Sequence, residues 1–245
     1  MEQKEWEEPV IDDMRMFMGK GIQFNDTISF YSPTVAEIAE IGEAKYTMYI
    51  NVLLLNQGLI PYFYKIEQQI LEELLQMDRY QLFITFDRFI DLMKEALTFF
   101  CKTPVEYHVN RKFFYANDDY MVMNSHNYRT IGYIIKAITG LKDKHDDVKF
   151  RNQKARELYE KAKKTRERQS QQETLRLRDI LSILCHADGN GIHIFNIGQL
   201  TIYQVYEHFE RLHLRESHSR VLQVWANGLL GKEEKLPEWM VKGTI

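Results

Sequence analysis

A run of twelve residues without an apolar side chain divides this sequence and limits what it can fold into. The run extends from Lys163 to Thr174, within a segment, residues 142–178, that carries 13 basic and seven acidic residues. A helix that packs on a core needs an apolar stripe, and this run has none. Lys, Arg, Glu and Gln nevertheless favour helix. We therefore predict a long, charged, projecting helix in this segment.

The position of the charged segment predicts that the chain is divided into three regions. We expect residues 1–141 to form an N-terminal α+β body with a hairpin, residues 142–178 the charged helix, and residues 179–245 a C-terminal helical segment with a tail. The segment has a local charge of +6 (13 − 7), whereas the 19 basic and 28 acidic residues elsewhere leave −9, for a net charge of −3. No global field therefore drives the chain onto nucleic acid or anionic lipid.

Apolar residues at helical spacing dominate the remaining sequence, which predicts a mainly α protein (α+β with minor β) built as a helical bundle. One such pattern covers residues 79–100 and predicts a single helix, and another predicts a long helix from Ile202 to Trp225. Alternation on either side of Asn25-Asp26 predicts an N-terminal β-hairpin. Alternation within residues 105–123 predicts a small central hairpin or a small sheet.

Two capping boxes predict where helices begin. In this motif a Ser or Thr and a Glu or Gln three residues later each accept a hydrogen bond from the other's backbone N–H. Thr34 with Glu37 and Thr201 with Gln204 have the required spacing. We therefore predict helices that start after Thr34 and after Thr201.

No group of residues in the sequence indicates a reaction centre. Three histidines of the C-terminal part are spaced five residues apart, which puts them on different sides of a helix, whereas a shared metal needs spacings of three or four. The turn at residues 188–191 resembles a calcium loop, but His193 and Gln199 stand where Gly and Glu are required. Phosphate-loop and dinucleotide motifs are absent. We expect no catalytic residues, metal or cofactor, and hence no enzyme.

The N-terminal composition predicts a cytosolic protein. The first thirteen residues contain six acids and one base, whereas a secretory leader begins with basic residues and continues into an apolar run. The most apolar stretch, Tyr46–Tyr64, is interrupted by polar residues and a proline, so we expect no membrane span. Two cysteines, Cys101 and Cys185, are too few for a disulfide framework and suit a reducing compartment.

Three groups of residues are candidates for binding a partner polypeptide. They are basic side chains of the charged helix, two tyrosines near Pro61, and apolar residues of the C-terminal tail. The candidates are Lys161, Lys163, Lys164, Arg166, Arg168, Tyr46, Tyr49, Trp239 and Met240. Two alternatives stay open: a solvated helix with ion pairs such as Glu157–Lys161, and tyrosines that serve core packing. Nucleic acid is an unlikely partner, because aromatic residues are not interleaved with the basic ones.

Several blocks of the sequence resemble a group of tail-module proteins from long-tailed phages of Gram-positive bacteria, similar to tail assembly chaperones. The first block has the pattern Ser-Pro-Thr-Val-x-Glu-Ile-x-x-Ile-Gly-Glu-x-x-Tyr after a short hairpin. The resembling blocks are Ser32–Tyr46, Asp78–Phe83, Tyr128–Ile138, Asn152–Arg156, Leu200–Gln204 and Leu236–Met240. They are spread over most of the chain, whose length corresponds to a fused or extended form.

The resemblance implies a non-enzymatic protein of the host cytoplasm. Members bind the tape-measure and tail-tube proteins during tail assembly and leave before maturation, so the resemblance supplies no catalytic residue. A structural component of the virion tail or connector is an alternative, as is a nucleic-acid-binding regulator that uses the basic helix. The sequence leaves homo-oligomerisation open.

Overall fold

The computed structural model describes residues 11–117, 120–141, 175–228 and 238–241. Contacts divide the chain into two units. The first comprises Met1–Leu141, Gly198–Glu207 and Lys242–Ile245, and the second comprises Lys142–Ile197 and His208–Val241. The predicted charged helix, including all five basic candidate residues, lies outside the described residues except for its last few positions, from Leu175 onward.

The protein is mainly α with minor β, as the apolar periodicity predicted. The described helices are α1 (Asp13–Phe17), α2 (Val35–Ile41), α3 (Glu43–Leu53), α4 (Leu59–Phe63), α5 (Gln68–Leu74), α6 (Arg79–Phe83), α7 (Asp87–Cys101), α8 (Tyr128–Thr139), α9 (Leu177–His186) and α10 (Ile202–Ala226). The described strands are β1 (Ile22–Gln23), β2 (Ser29–Phe30), β3 (Val105–His108), β4 (Phe113–Ala116) and β5 (Tyr120–Met123). None of these helices has the length and apolar content needed to cross a membrane.

The N-terminal hairpin is present as predicted. Strands β1 and β2 pair antiparallel, with Ile22 opposite Phe30. The Asn25 carboxamide oxygen accepts hydrogen bonds from the backbone N–H groups of Thr27 and Ile28, at 3.0 and 2.7 Å. Asparagine thereby closes the turn with its own side chain, which is why it is favoured there.

Of the two predicted forms of the central β element, the structure has the small sheet and not the hairpin. Strands β3, β4 and β5 form a three-stranded antiparallel sheet in that order. A register shift between Phe114 and Tyr115 leaves Val122 as the extra residue of a bulge. The carbonyl of Val122 accepts a hydrogen bond from the Asn127 side chain at 3.0 Å, so the irregularity leaves no unpaired acceptor there.

The single helix predicted over residues 79–100 is instead two helices. Helix α6 ends after one turn, and the chain is extended at Phe86 before α7 begins. This break allows the rings of Phe83 and Phe89 to stack with centroids 4.8 Å apart, and both side chains are fully buried. Aromatic packing therefore overrides the local preference for one continuous helix.

Helix α7 is the centre of the first unit. It packs against α3 and against β3, and its inward face contributes Met93, Leu97 and Phe100. Helix α3 supplies Val52 and Leu53, which are also fully buried. The amphipathic pattern of α7 thus folds onto two partners, a helix and a sheet, and this contact holds the α and β parts together.

Both predicted capping boxes are formed. Thr34 Oγ1 accepts from the Glu37 N–H at 3.2 Å, and the Glu37 carboxylate accepts from the Thr34 N–H at 2.8 Å. Thr201 and Gln204 exchange the equivalent bonds at 3.3 and 2.9 Å. The helix starts that depend on residues three apart in sequence were therefore predicted correctly.

The two capped helix starts are paired with each other. Thr34 and Thr201 form an isolated antiparallel β-bridge. The Val35 N–H donates to the Leu200 carbonyl at 2.9 Å, and the Ile202 N–H donates to the Pro33 carbonyl at 2.8 Å. Because each bond joins residues more than 160 positions apart, this pairing anchors the start of α10 in the first unit.

Candidate interaction surface

The structure places the two candidate tyrosines in the interior. Tyr46 is 7% exposed and Tyr49 is 4% exposed, and their rings contact Phe100 and Phe99. Of the tail candidates, Trp239 is 39% exposed and Met240 is 79% exposed. The tail residues are therefore accessible, whereas the tyrosine rings serve the packing of α3 against α7.

The hydroxyl of Tyr49 reaches the surface through a polar network. It donates to Glu95 Oε2 at 2.9 Å, and Lys45 Nζ lies 2.9 Å from the same carboxylate. The hydrogen bond from Lys45 lowers the pKa of Glu95, while burial raises the pKa of Tyr49. The three groups hold one another in place at the edge of a groove.

We call the groove between α3 and α7 the α3–α7 groove. It has a volume of about 370 Å³, and its apolar lining consists of Ala44, Met48, Phe63 and Leu92. Phe63, from α4, is held by an edge-to-face contact with buried Phe89 at 5.6 Å. A partly exposed apolar floor on rigid elements is the usual form of a site that binds an apolar side chain of a partner.

Four charged residues form the rim of the groove: Lys45 on α3, and Arg88, Asp91 and Glu95 on α7. The Arg88 guanidinium lies over the Phe63 ring, 4.2 Å from its centroid. Within the described ranges, Lys45 pairs with Glu95, whereas Arg88 and Asp91 form no ion pair. Two rim charges of opposite sign thus remain available to a partner.

A second exposed feature, in the second unit, was not found by sequence reasoning. Ile194 is 72% exposed and Phe195 is 90% exposed, and we refer to this pair as the apolar knob. No period or motif marks the two residues. The only local signal is the turn chemistry that precedes them, Asp-Gly-Asn-Gly, because such a turn brings the chain to the surface.

Asparagine side chains hold the loop that carries the apolar knob. Asn190 donates to the Leu184 carbonyl at 2.8 Å and accepts from the Ile192 N–H at 2.9 Å. Asn196 donates to the Gly191 carbonyl at 2.9 Å and accepts from the His193 N–H at 2.8 Å. Phe195 is therefore exposed on a loop whose conformation is fixed by side-chain hydrogen bonds.

Apolar exposure is general in the described part of the second unit. Four large apolar side chains are buried there, namely Ile180, Leu184, Ile192 and Ile197. Ten others are exposed: Leu175, Ile183, Ile194, Phe195, Leu222, Val224, Trp225, Trp239, Met240 and Val241. In the described part of the second unit, exposed large apolar side chains therefore outnumber buried ones.

No group of three or more His, Cys, Asp or Glu residues in the described part of the chain has the arrangement of a metal site. Cys101 is buried at the end of α7, and burial raises the pKa of its thiol to about 12. A thiol in this environment stays protonated at neutral pH and serves packing.

Comparison with known families connects the C-terminal part of the chain with phages. Residues 166–243 match the family model described as the YomV second domain, a phage-type family of Bacillus prophage. The match takes in α9, α10, the apolar knob and residues 238–241. The chain thus contains a phage-associated domain over about a third of its length. No curated protein and no solved structure matches the chain.

Proposed function

We propose that this protein is a non-enzymatic phage tail assembly chaperone that binds the tape-measure and tail-tube proteins in the host cytoplasm. The observation that carries the proposal is the apolar exposure of the second unit, above all the 90% exposed Phe195 on a hydrogen-bonded loop. The phage-associated domain supports the phage context. The resemblance of the sequence blocks to tail-module proteins supports the assignment to tail assembly.

The energetics of the exposed residues fit a role in transient binding. Burying a large apolar side chain contributes about 1.5–3 kcal/mol. Association itself costs several kcal/mol. Micromolar affinity, which corresponds to about 8 kcal/mol of net binding free energy, therefore requires the apolar knob and Trp239 and Met240 of the tail to be buried together with further contacts. An assembly chaperone needs affinity in this range, because it must release its client.

The test is co-purification combined with the protein content of virions. We expect the tagged protein, co-expressed with the tape-measure protein of the same phage, to retain it at physiological salt, and purified virions to lack it. An unrelated helical virion protein with similar net charge serves as the control and should not be retained. Stoichiometric presence in purified virions would contradict the chaperone proposal and favour the alternative of a structural tail or connector component.

A further inference from the structure

The α3–α7 groove is formed by residues of the first unit that precede the matched residues 166–243 in the sequence. We propose that it binds one amphipathic α-helix of the client polypeptide, with apolar anchors on its floor and one acidic and one basic flanking residue at its rim. This inference rests on the proposed chaperone function, because it specifies which structure of the client is bound.

The walls of the groove favour a helix over an extended peptide. Met48 and Leu92 lie on two packed helices and Phe63 on a third, so the wall residues belong to helices whose backbone groups bond within each helix. An extended peptide gains affinity from main-chain hydrogen bonds with a sheet edge, which these walls do not offer. A helix satisfies its own backbone and needs only side-chain contacts.

The spacing of the wall residues matches the ridges of a helix. On α7, Asp91 and Leu92 lie three and four positions after Arg88, and Glu95 lies four after Asp91 and three after Leu92, which places the four residues along one face. Ridges with these intervals accept the corresponding ridges of another helix. The groove therefore suits a client helix with apolar residues three or four positions apart.

Charge complementarity determines the flanks of the client helix. Glu95 is neutralised by Lys45, with an Oε2 to Nζ distance of 2.9 Å. Arg88 and Asp91 have no ion-pair partner among the described residues. A carboxylate of the client would meet Arg88, and a Lys or Arg of the client about one turn away would meet Asp91.

A synthetic peptide provides the probe. It has about 18 residues, since shorter isolated helices are marginal, with Leu at positions i and i+4 and with Glu and Lys on its flanks. Binding is followed on the full-length protein by NMR of labelled methionine methyl groups. Met48 lies in the groove, and its signal among the ten methionines is assigned with Met48→Leu. We expect the Met48 methyl resonance to shift with peptide concentration.

Two variants test the location. Leu92→Glu places a charge on the groove floor and should weaken peptide binding by about tenfold or more. Ile70→Glu, which introduces the same charge at a 49% exposed apolar residue of α5 outside the groove, is the matched control and should bind as the wild type does. Equal binding by Leu92→Glu and the wild type would overturn the proposal.

A charge exchange tests the orientation and does not depend on Leu92. Arg88→Glu should weaken binding of the Glu-bearing peptide by roughly twofold to fivefold, and a peptide with Lys in place of that Glu should restore it. Absence of this rescue overturns the predicted rim contact. A proline-containing peptide of the same composition that binds equally well would overturn the helical occupant, and a Met48 shift caused by protein concentration alone would indicate a second copy instead.

Retention of the tape-measure protein distinguishes failure of the groove proposal from failure of the proposed chaperone function. If Leu92→Glu retains the tape-measure protein as the wild type does, the groove proposal is wrong while the proposed function stands. If the model peptide binds the groove but the tape-measure protein is never retained, the proposed function is wrong while the groove remains a helix-binding site.

Discussion

Tyr46 and Tyr80 are both buried, but their hydroxyl groups have different surroundings. Tyr80 Oη donates to the Lys112 carbonyl at 2.9 Å and lies 3.4 Å from the Met123 carbonyl. Tyr46 Oη has no hydrogen-bond partner in the described part of the chain. Burial raises the pKa of both phenols, so both stay protonated at neutral pH. Only one of the two hydroxyls therefore contributes a hydrogen bond to stability.

Substitution by phenylalanine should have opposite effects at these two positions. Tyr46→Phe removes an unpartnered buried hydroxyl, so we expect the free energy of unfolding to rise by about 1 kcal/mol. Tyr80→Phe removes a donor from two carbonyls and should lower it by about 1–2 kcal/mol. Urea denaturation followed by circular dichroism measures both. A clear loss of stability in Tyr46→Phe would mean that its hydroxyl has a partner, such as a buried water.

Gly140 is a position where only glycine fits. It ends α8 with a φ of +67°, and a Cβ atom there would lie 2.8 Å from Cδ2 of Tyr206. Gly228 has a similar φ of +68°, but no atom of the described residues lies within 4 Å of a Cβ built there. Comparing the same substitution at Gly140 and at Gly228 therefore separates the cost of backbone strain from the cost of steric overlap.

We expect Gly140→Ala to lower the free energy of unfolding by roughly 3 kcal/mol, the sum of left-handed strain and displacement of the half-buried Tyr206 ring. Gly228→Ala, with strain alone, should cost about 1 kcal/mol or less. Thermal unfolding of the two variants provides the comparison. Equal losses would show that the Tyr206 ring moves aside without cost.

At the scale of elements, the start of α2 combines a capping box with an ion pair. The Glu37 carboxylate accepts from the Thr34 N–H and also pairs with Lys102. Burial by itself would raise the pKa of Glu37, but the hydrogen bonds from Lys102 and Thr34 outweigh it and leave the pKa below 4.5. The second box, at α10, has Gln204 in the same role without a charge. Of the two capping boxes, only the one at α2 therefore includes a charged side chain.

Replacing Glu37 by glutamine should change the pH dependence of stability. Because the pKa is lower in the folded state, the carboxylate contributes stability above the unfolded-state pKa, about 4.5, and this contribution is lost as pH falls through the folded-state pKa. Glu37→Gln keeps an acceptor for the cap, so the loss at pH 7 should be about 0.3–1 kcal/mol. The fall in melting temperature as the pH drops below about 4.5 should be shallower than in the wild type.

Glu40→Gln is the matched control, since Glu40 is an exposed residue of the same helix. Its pH profile should follow that of the wild type. Identical profiles for Glu37→Gln and the wild type would contradict the role assigned to the Lys102 pair.

At the scale of the whole molecule, the two units differ in how much apolar surface they bury. Large side chains such as Phe30, Phe83 and Phe114 are fully buried in the first unit. The described part of the second unit exposes more large apolar side chains than it buries, and Phe195 is the most exposed of them. Stability and binding should consequently be separable by mutation.

Phe195→Ser should leave the free energy of unfolding within about 0.5 kcal/mol of the wild-type value, since a 90% exposed ring contributes little to packing. It should reduce retention of the tape-measure protein by about tenfold if the apolar knob is a binding anchor. Phe83→Ala, at a fully buried ring, should instead cost about 3–5 kcal/mol. Wild-type retention by Phe195→Ser would remove the apolar knob from the proposed interface.

The sequence by itself determined the class of fold, the N-terminal hairpin and the two capped helix starts. These features depend on residues two to four positions apart, such as Thr34 with Glu37, and their hydrogen bonds form within a single turn. The break between α6 and α7 was not predictable in this way, because stacking of Phe83 on Phe89 competes with helix propensity only in the packed core.

Only the tertiary structure decided which apolar residues are buried and which are available for binding. Tyr49 and Phe195 have the same aromatic character in sequence, yet one lies beneath Glu95 in the interior and the other is almost fully exposed. The contacts that decide this join residues distant in sequence, including Thr34 with Thr201 and Tyr49 with Glu95. Burial is a property of the assembled chain, because it depends on what packs over a residue rather than on its neighbours in sequence.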